Sequence, residues 1–99
     1  MIFPPDFDKV CARAVDAFGI PSQEAMLIGE IGELLTLYGR RAQGRADQQQ
    51  WIDEIADLLI MAHQMAYIHG KDAVETRIAE KMPKLIQRIE RREAACPAS

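Results

Sequence analysis

Apolar residues in this chain recur at intervals of three and four almost throughout, and no stretch alternates as a half-buried strand would. After Pro4 and Pro5, Asp6 is placed to cap a first helix and Gly19 to stop it, with Phe7, Val10, Cys11, Ala14, Val15 and Phe18 as its stripe. Pro21 suits the first turn of a second helix, which the pattern carries to about Arg41. The Gly- and Arg-rich stretch from Gly39 to Asp47 is expected as the main loop. A third helix is expected from near Asp47 to Gly70. A fourth begins near Asp72, striped by Val74, Ile78, Met82, Leu85, Ile86 and Ile89. Pro83 lies inside that helix. It lacks an amide hydrogen and disfavours helical geometry at Met82, so a kink or a split is expected there. The predicted architecture is all-α, a four-helix bundle formed by a single domain over residues 1–94, with 95–99 as a disordered tail.

Two segments repeat one another at a constant offset of 24 residues. The first runs from Leu27 to Tyr38 and carries Glu30 and Glu33; the second runs from Trp51 to Ala62 and carries Glu54 and Asp57. Residues three apart share a helix face, so each copy presents a pair of carboxylates. Leu27, Ile28, Ile31, Leu34, Leu35 and Tyr38 form a broad apolar stripe on one copy; Trp51, Ile52, Ile55, Leu58, Leu59 and Ala62 form it on the other. Further apolar groups border the acids: Met26 and Leu37 on the first helix, Met61, Met65 and Ile68 on the second. Acids in such surroundings are expected to be partly buried. If the two helices pack together, four carboxylates converge, and their repulsion and lost hydration cost several kcal/mol unless a cation intervenes. Oxygen-only ligands favour a hard divalent ion, Mg²⁺ with Mn²⁺ as an alternative.

Composition narrows the picture further. With 99 residues, 48% of them apolar, the chain suits one small domain, and the two central helices are apolar over more than one face. A homodimer or homotetramer is therefore expected. The net charge of −3 gives no general attraction to nucleic acid or to anionic membranes. The apolar run from Ile55 to Ile68 is interrupted by Asp57, His63 and Gln64 and is too short to span a bilayer. The N-terminus shows no signal-peptide pattern, and the two cysteines, Cys11 and Cys96, read as reduced thiols of a cytoplasmic protein. Gly29 and Gly32 each weaken a helix interior by about 1 kcal/mol relative to Ala. Two readings stay open for them: close approach of another helix or a ligand beside the acids, or helix packing alone.

The pair of motifs Glu30-Ile-Gly-Glu33 and Glu54-Ile-Ala-Asp57, each followed by a Leu-Leu step, resembles the signature of the MazG-like all-α nucleoside triphosphate pyrophosphatases. That superfamily includes the MazG proteins, the dimeric dUTPases and phosphoribosyl-ATP pyrophosphatase. The resemblance covers roughly residues 20–90. It implies hydrolysis between the α- and β-phosphates of a nucleoside triphosphate, giving a monophosphate and pyrophosphate. It maps Glu30, Glu33, Glu54 and Asp57 onto the metal-binding acids and places Glu33 and Glu54 in the catalytic set; which acid serves as base for the attacking water stays open. Phosphoribosyl-ATP pyrophosphatase is the alternative within the fold, although its first motif usually has adjacent glutamates. A non-catalytic helical oligomer with structural or metal-binding acids is the alternative outside it.

Remaining phosphate charge calls for cationic side chains. Lys81, Lys84 and Arg88 share one side of the last helix and resemble the basic C-terminal segment of several relatives; Lys81 and Arg88 are the expected substrate contacts. The loop residues Arg40, Arg41 and Arg45 are a second source of such charge, although they and Lys84 read better as a solvated basic surface. Trp51 is placed to stack on a base or to anchor a core or interface. Gln64 lies two turns beyond Asp57, where relatives often carry another Asn or Asp, and is a candidate contact to substrate or metal-bound water. His63 and His69 complete no Glu-x-x-His motif, which argues against a di-iron bundle. Met26, Met61 and Met65 read as adaptable core or as the border of a base pocket.

Overall fold

The structure, a computed structural model, describes residues 3–95; among them it holds four α-helices and no strand. These are α1 Phe7–Phe18, α2 Ile20–Ala42, α3 Gln48–His69 and α4 Lys71–Ala95. The chain divides into two compact units, Met1–Ile68 and His69–Ser99, described in turn.

In the first unit α1 ends and α2 begins around a single residue. Gly19 has φ 89°, a conformation that costs any residue with a Cβ, and its amide donates to the Val15 carbonyl at 2.8 Å. Pro21 lies in the first turn of α2, where the missing N–H has no helical partner to lose. Asp6 occupies the N-cap position of α1, but its side chain makes no capping hydrogen bond. Aromatic contacts hold this end instead. Phe3 stacks on Phe7 at 4.5 Å between ring centroids, and His63 of α3 meets both rings edge-on at 4.7 Å. His63 Nδ1 lies 2.8 Å from the Leu59 carbonyl, so this histidine serves packing.

Helix α2 continues past Gly39 to Ala42, one residue beyond the end the pattern predicts, so the Gly- and Arg-rich stretch is helical over its first residues. Its exit is tied down by backbone bonds: the Arg40 carbonyl accepts from the amides of Gln43 and Arg45, and the Arg41 carbonyl from Gly44. Helix α3 opens on a reciprocal capping box. The Gln50 amide donates to Asp47 Oδ1 at 2.9 Å, and the Asp47 amide to Gln50 Oε1 at 3.0 Å.

The core of this unit is thin. Cys11, Val15, Leu37 and Met61 are its buried apolar residues, and three polar side chains, Gln23, Glu54 and Gln64, are buried with them. Cys11 is a free thiol; burial, then the charge of Asp8, pushes its pKa up. Only part of the expected apolar stripe turns inward: Leu27 and Leu34 of α2 and Trp51, Leu58 and Leu59 of α3 are half-buried. Ile28 and Leu35 are 70% and 66% exposed, and Ile31, Tyr38, Ile52 and Ile55 are exposed too. The inward face of α2 is Gln23, Leu27, Glu30, Leu34 and Leu37.

The second unit consists chiefly of α4, preceded by Gly70 at φ 107°. Of the two outcomes expected at Pro83, a kink or a split, the split does not occur: the helix runs through Pro83 without a break. Proline removes one backbone bond and strains one turn, at about 3 kcal/mol, while several turns on either side keep their own ladders. Its stripe of Val74, Ile78, Met82, Leu85, Ile86 and Ile89 is solvent-exposed, and Ala95 still belongs to the helix. Cys96 and the rest of the expected tail lie outside the described residues. Among the described residues no helix is long and apolar enough to cross a membrane.

The capping box yields a direct test. Asp47→Ala should lower stability by about 1 kcal/mol, read in urea as a lower midpoint with an unchanged slope.

Candidate metal centre

The first unit brings the four acids together. Helices α2 and α3 run antiparallel: Gln23 pairs with Gln64 at one end of the seam, and Tyr38 meets Trp51 at the other. Between these ends the spacing of three and four places Glu30 on the inner face of α2 and Glu54 on that of α3. Glu33 and Asp57 follow one turn along each helix and are exposed, whereas Glu30 is half-buried and Glu54 only 4% exposed. One carboxylate oxygen from each of the four lies within 4.8 Å of all the others.

This arrangement strains the ionised state. Burial pushes the Glu54 pKa up from its ordinary 4.5 to about 7, reinforced by hydrogen bonding to Glu33 and Glu30 and then by their charge. Burial also raises Glu30, helped by the negative charges of Asp57 and Glu33 and opposed by its hydrogen bond with Glu54. Glu54 Oε1 and Glu30 Oε2 are buried without any hydrogen-bond partner. Two orphaned carboxylate oxygens in one seam are a donor set short of a cation. The size fits as well. Mg²⁺ binds oxygen at about 2.1 Å, so opposite ligands stand about 4.2 Å apart, close to the 4.8 Å within which the four oxygens lie.

Three of the four acids, Glu33, Glu54 and Asp57, line a cavity of about 350 Å³, and Glu30 does not. Each helix supplies four residues to its wall at one spacing, i, i+3, i+4 and i+7: Glu33, Thr36, Leu37 and Arg40 from α2, and Gln50, Asp53, Glu54 and Asp57 from α3. The antiparallel register sets Glu33 near Asp57 at one end and Arg40 near Gln50 at the other. Asp53 Oδ1 accepts a hydrogen bond from Gln49 at 2.9 Å. Arg40 is the only cation on this wall, and it forms no ion pair among the described residues.

The other expected contacts fall elsewhere. Gln64 is buried, accepts from Gln23 Nε2 at 2.6 Å and points its own amide at Met61 Sδ, 3.7 Å away. Trp51 is half-buried and meets Tyr38 edge-on, with ring centroids 4.9 Å apart, off the cavity wall. Met61 is core, Met65 half-buried and Met26 exposed. Lys81 and Arg88 are carried by α4 in the second unit, seven residues apart and hence on one helix face. The sequence offers Arg40 as a second source of phosphate-binding charge while favouring a solvated role for it, and carries no expectation for Thr36, Gln50 and Asp53. The spacing that reveals them is the same i, i+3, i+4, i+7 series, counted from the acids instead of from the apolar stripe.

The chain matches no protein-family model, no curated protein and no solved structure. The chemistry must therefore be argued from its own residues.

The raised Glu54 pKa has a measurable consequence in metal-free protein. The folded state holds a proton that the unfolded chain releases above pH 4.5, so this contribution to stability is complete below that value and is lost as pH rises to about 7. Unfolding in chelator should show a decline on the order of 3 kcal/mol across this window, then level off. Glu54→Gln should flatten the profile and make the metal-free protein more stable at pH 8.

Proposed function

We propose that this protein is a Mg²⁺-dependent nucleoside triphosphate pyrophosphohydrolase of the MazG-like type, cleaving the α–β anhydride of (d)NTPs to (d)NMP and pyrophosphate. The observation that carries the reading is the Glu54 carboxyl, buried with an unpartnered oxygen among four clustered acids, three of which, Glu33, Glu54 and Asp57, line a cavity. The paired Glu-x-x-Glu and Glu-x-x-Asp motifs support the same chemistry through their resemblance to that superfamily. A purely structural role is poorly supported, because apolar residues would hold this seam at lower cost than clustered carboxylates.

Glu30, Glu33, Glu54 and Asp57 would hold Mg²⁺, or Mn²⁺ in its place. Bound there, the ion would neutralise charge on the phosphoryl oxygens and lower the pKa of an attacking water. The remaining work falls to the protein. Glu33, exposed on the cavity wall, accepts the proton of that water as a new P–O bond forms. The bridging P–O bond breaks and pyrophosphate leaves. Glu54 gives up its proton when the site fills and remains as a buried anion that orients the cluster. Lys81 and Arg88 enter the proposal through the resemblance alone.

The proposed enzyme works as a homodimer or a dimer of such dimers in the cytoplasm, where the buried Cys11 thiol stays reduced. The support is the outward apolar face of α2 and α3, with Ile28, Ile31, Leu35, Ile52 and Ile55 exposed. Gly29 and Gly32 lie on the same stretch of α2, and a Cβ added at either would meet nothing within 4 Å. A second helix can approach closely there.

Metal-dependent pyrophosphate release from a panel of NTPs, dNTPs and phosphoribosyl-ATP tests the reaction. Glu54→Gln and Asp57→Asn should each cut turnover by about a hundredfold or more with helicity intact, a loss comparable to other transition-state charge groups. Full activity in those variants or in chelator would overturn the assignment. The assembly is tested separately: Leu35→Lys should shift the mass measured by light scattering towards that of one chain.

A further inference from the structure

The cavity beside the acids has a direction. Its wall carries four carboxylates, Glu33, Asp53, Glu54 and Asp57, and one cationic residue, Arg40, seven residues along α2 from Glu33 and so on the same face. Seven residues of helix are about 10.5 Å, less whatever the flexible arginine stem spans. A ligand anchored at the acids by one phosphate reaches Arg40 only if further phosphates extend from it. Arg40 also suits the task chemically, since its planar fork binds phosphate oxygens in pairs.

A plainer explanation of Arg40 is its place in the last turn of α2, where positive charge complements the helix dipole. Arg41 occupies that turn equally well and is absent from the cavity wall. The dipole therefore accounts for a basic residue at this helix end but not for one facing the acids.

We propose that Arg40 is the positioning residue for the terminal phosphates of the substrate, so that the polyphosphate chain runs along the cavity from the acids to Arg40 and the nucleoside leaves at the opposite end. The inference rests on the proposed hydrolase reading and adds an orientation to it. It also assigns a ligand class. The site favours molecules with at least two linked phosphates over monophosphates, and its tightest product is pyrophosphate.

Calorimetric titration tests this without relying on turnover. Inorganic pyrophosphate and, separately, a nucleoside monophosphate are titrated in saturating Mg²⁺ into wild type, Arg40→Gln, Arg40→Lys and Arg41→Gln; Mg²⁺ alone is titrated into each. Arg40→Gln should weaken pyrophosphate about ten- to a hundredfold, the range for losing hydrogen bonds to a charged group. Mg²⁺ and monophosphate affinities should not change. Arg40→Lys should recover part of the loss, and Arg41→Gln should behave as wild type. Unchanged pyrophosphate affinity in Arg40→Gln overturns the inference while leaving the metal centre intact. An equal loss in Arg41→Gln overturns it as well, by reducing the effect to general charge, and an equal loss for monophosphate removes the orientation. If Mg²⁺ fails to bind wild type, the metal-centre reading falls first and takes the inference with it.

Discussion

Two helices meet in this protein along a seam whose middle is carboxylate. At the inner positions of α2 and α3 where a stable pair would carry leucine, the chain places Glu30 and Glu54. Neither can be ionised there without loss of hydration and mutual repulsion, which is why Glu54 titrates near 7 and keeps an oxygen without a partner. A proton relieves the conflict partially and a divalent ion would relieve it fully. Much of the first unit answers to this one constraint. Above and below the acids the seam closes with groups that match each other: the Gln23–Gln64 pair in one direction, Leu37 and the Tyr38–Trp51 contact in the other.

Turning the acids inward turns the aliphatic residues out. Ile28, Ile31, Leu35, Ile52 and Ile55 cannot share the seam face, because side chains one residue apart on a helix diverge by about 100°. A chain of this size has few other apolar groups with which to build a core, and the buried set is correspondingly small. The exposed face and the acid seam are thus two sides of one geometric choice. In the proposed assembly, a second copy supplies the apolar contact that each chain gives up in order to hold its acids.

The elements were legible in the sequence because they depend on local signals. Helical periodicity, Gly19 and Gly70 at the corners, and the Asp47–Gln50 spacing each act within a turn or two. The convergence of the acids was legible too, since two matching pairs at a constant offset can meet when their helices pack. Which face would be buried was not. Apolar content ranks the faces in the opposite order, and a seam that breaks this ranking is a site where local rules yield to something else. The partner of Gln64 lies 41 residues away, beyond the range of any local signal. Pro83 does not split α4, because its penalty is real but confined to one turn of a long helix.

A site assembled from mutually destabilising parts links folding to occupancy. Any ligand that binds only the folded chain adds RT ln(1 + [L]/Kd) to its stability. Here the added term falls on a seam already weakened by its own charge, in a unit with little apolar core to compensate. In the proposed metal centre, occupancy and protonation would compete for the same carboxylates, and pH would act on both. Below neutral pH the Glu54 proton holds the seam and opposes cation binding; above it the seam is at its weakest without a cation and at its most receptive to one. The cavity residues need no such compensation, because Arg40 and Asp53 sit where water reaches them. The energetic cost of the site is therefore concentrated at Glu30 and Glu54, the two positions at which a neutral amide would relieve the strain and remove the negative charge a cation needs.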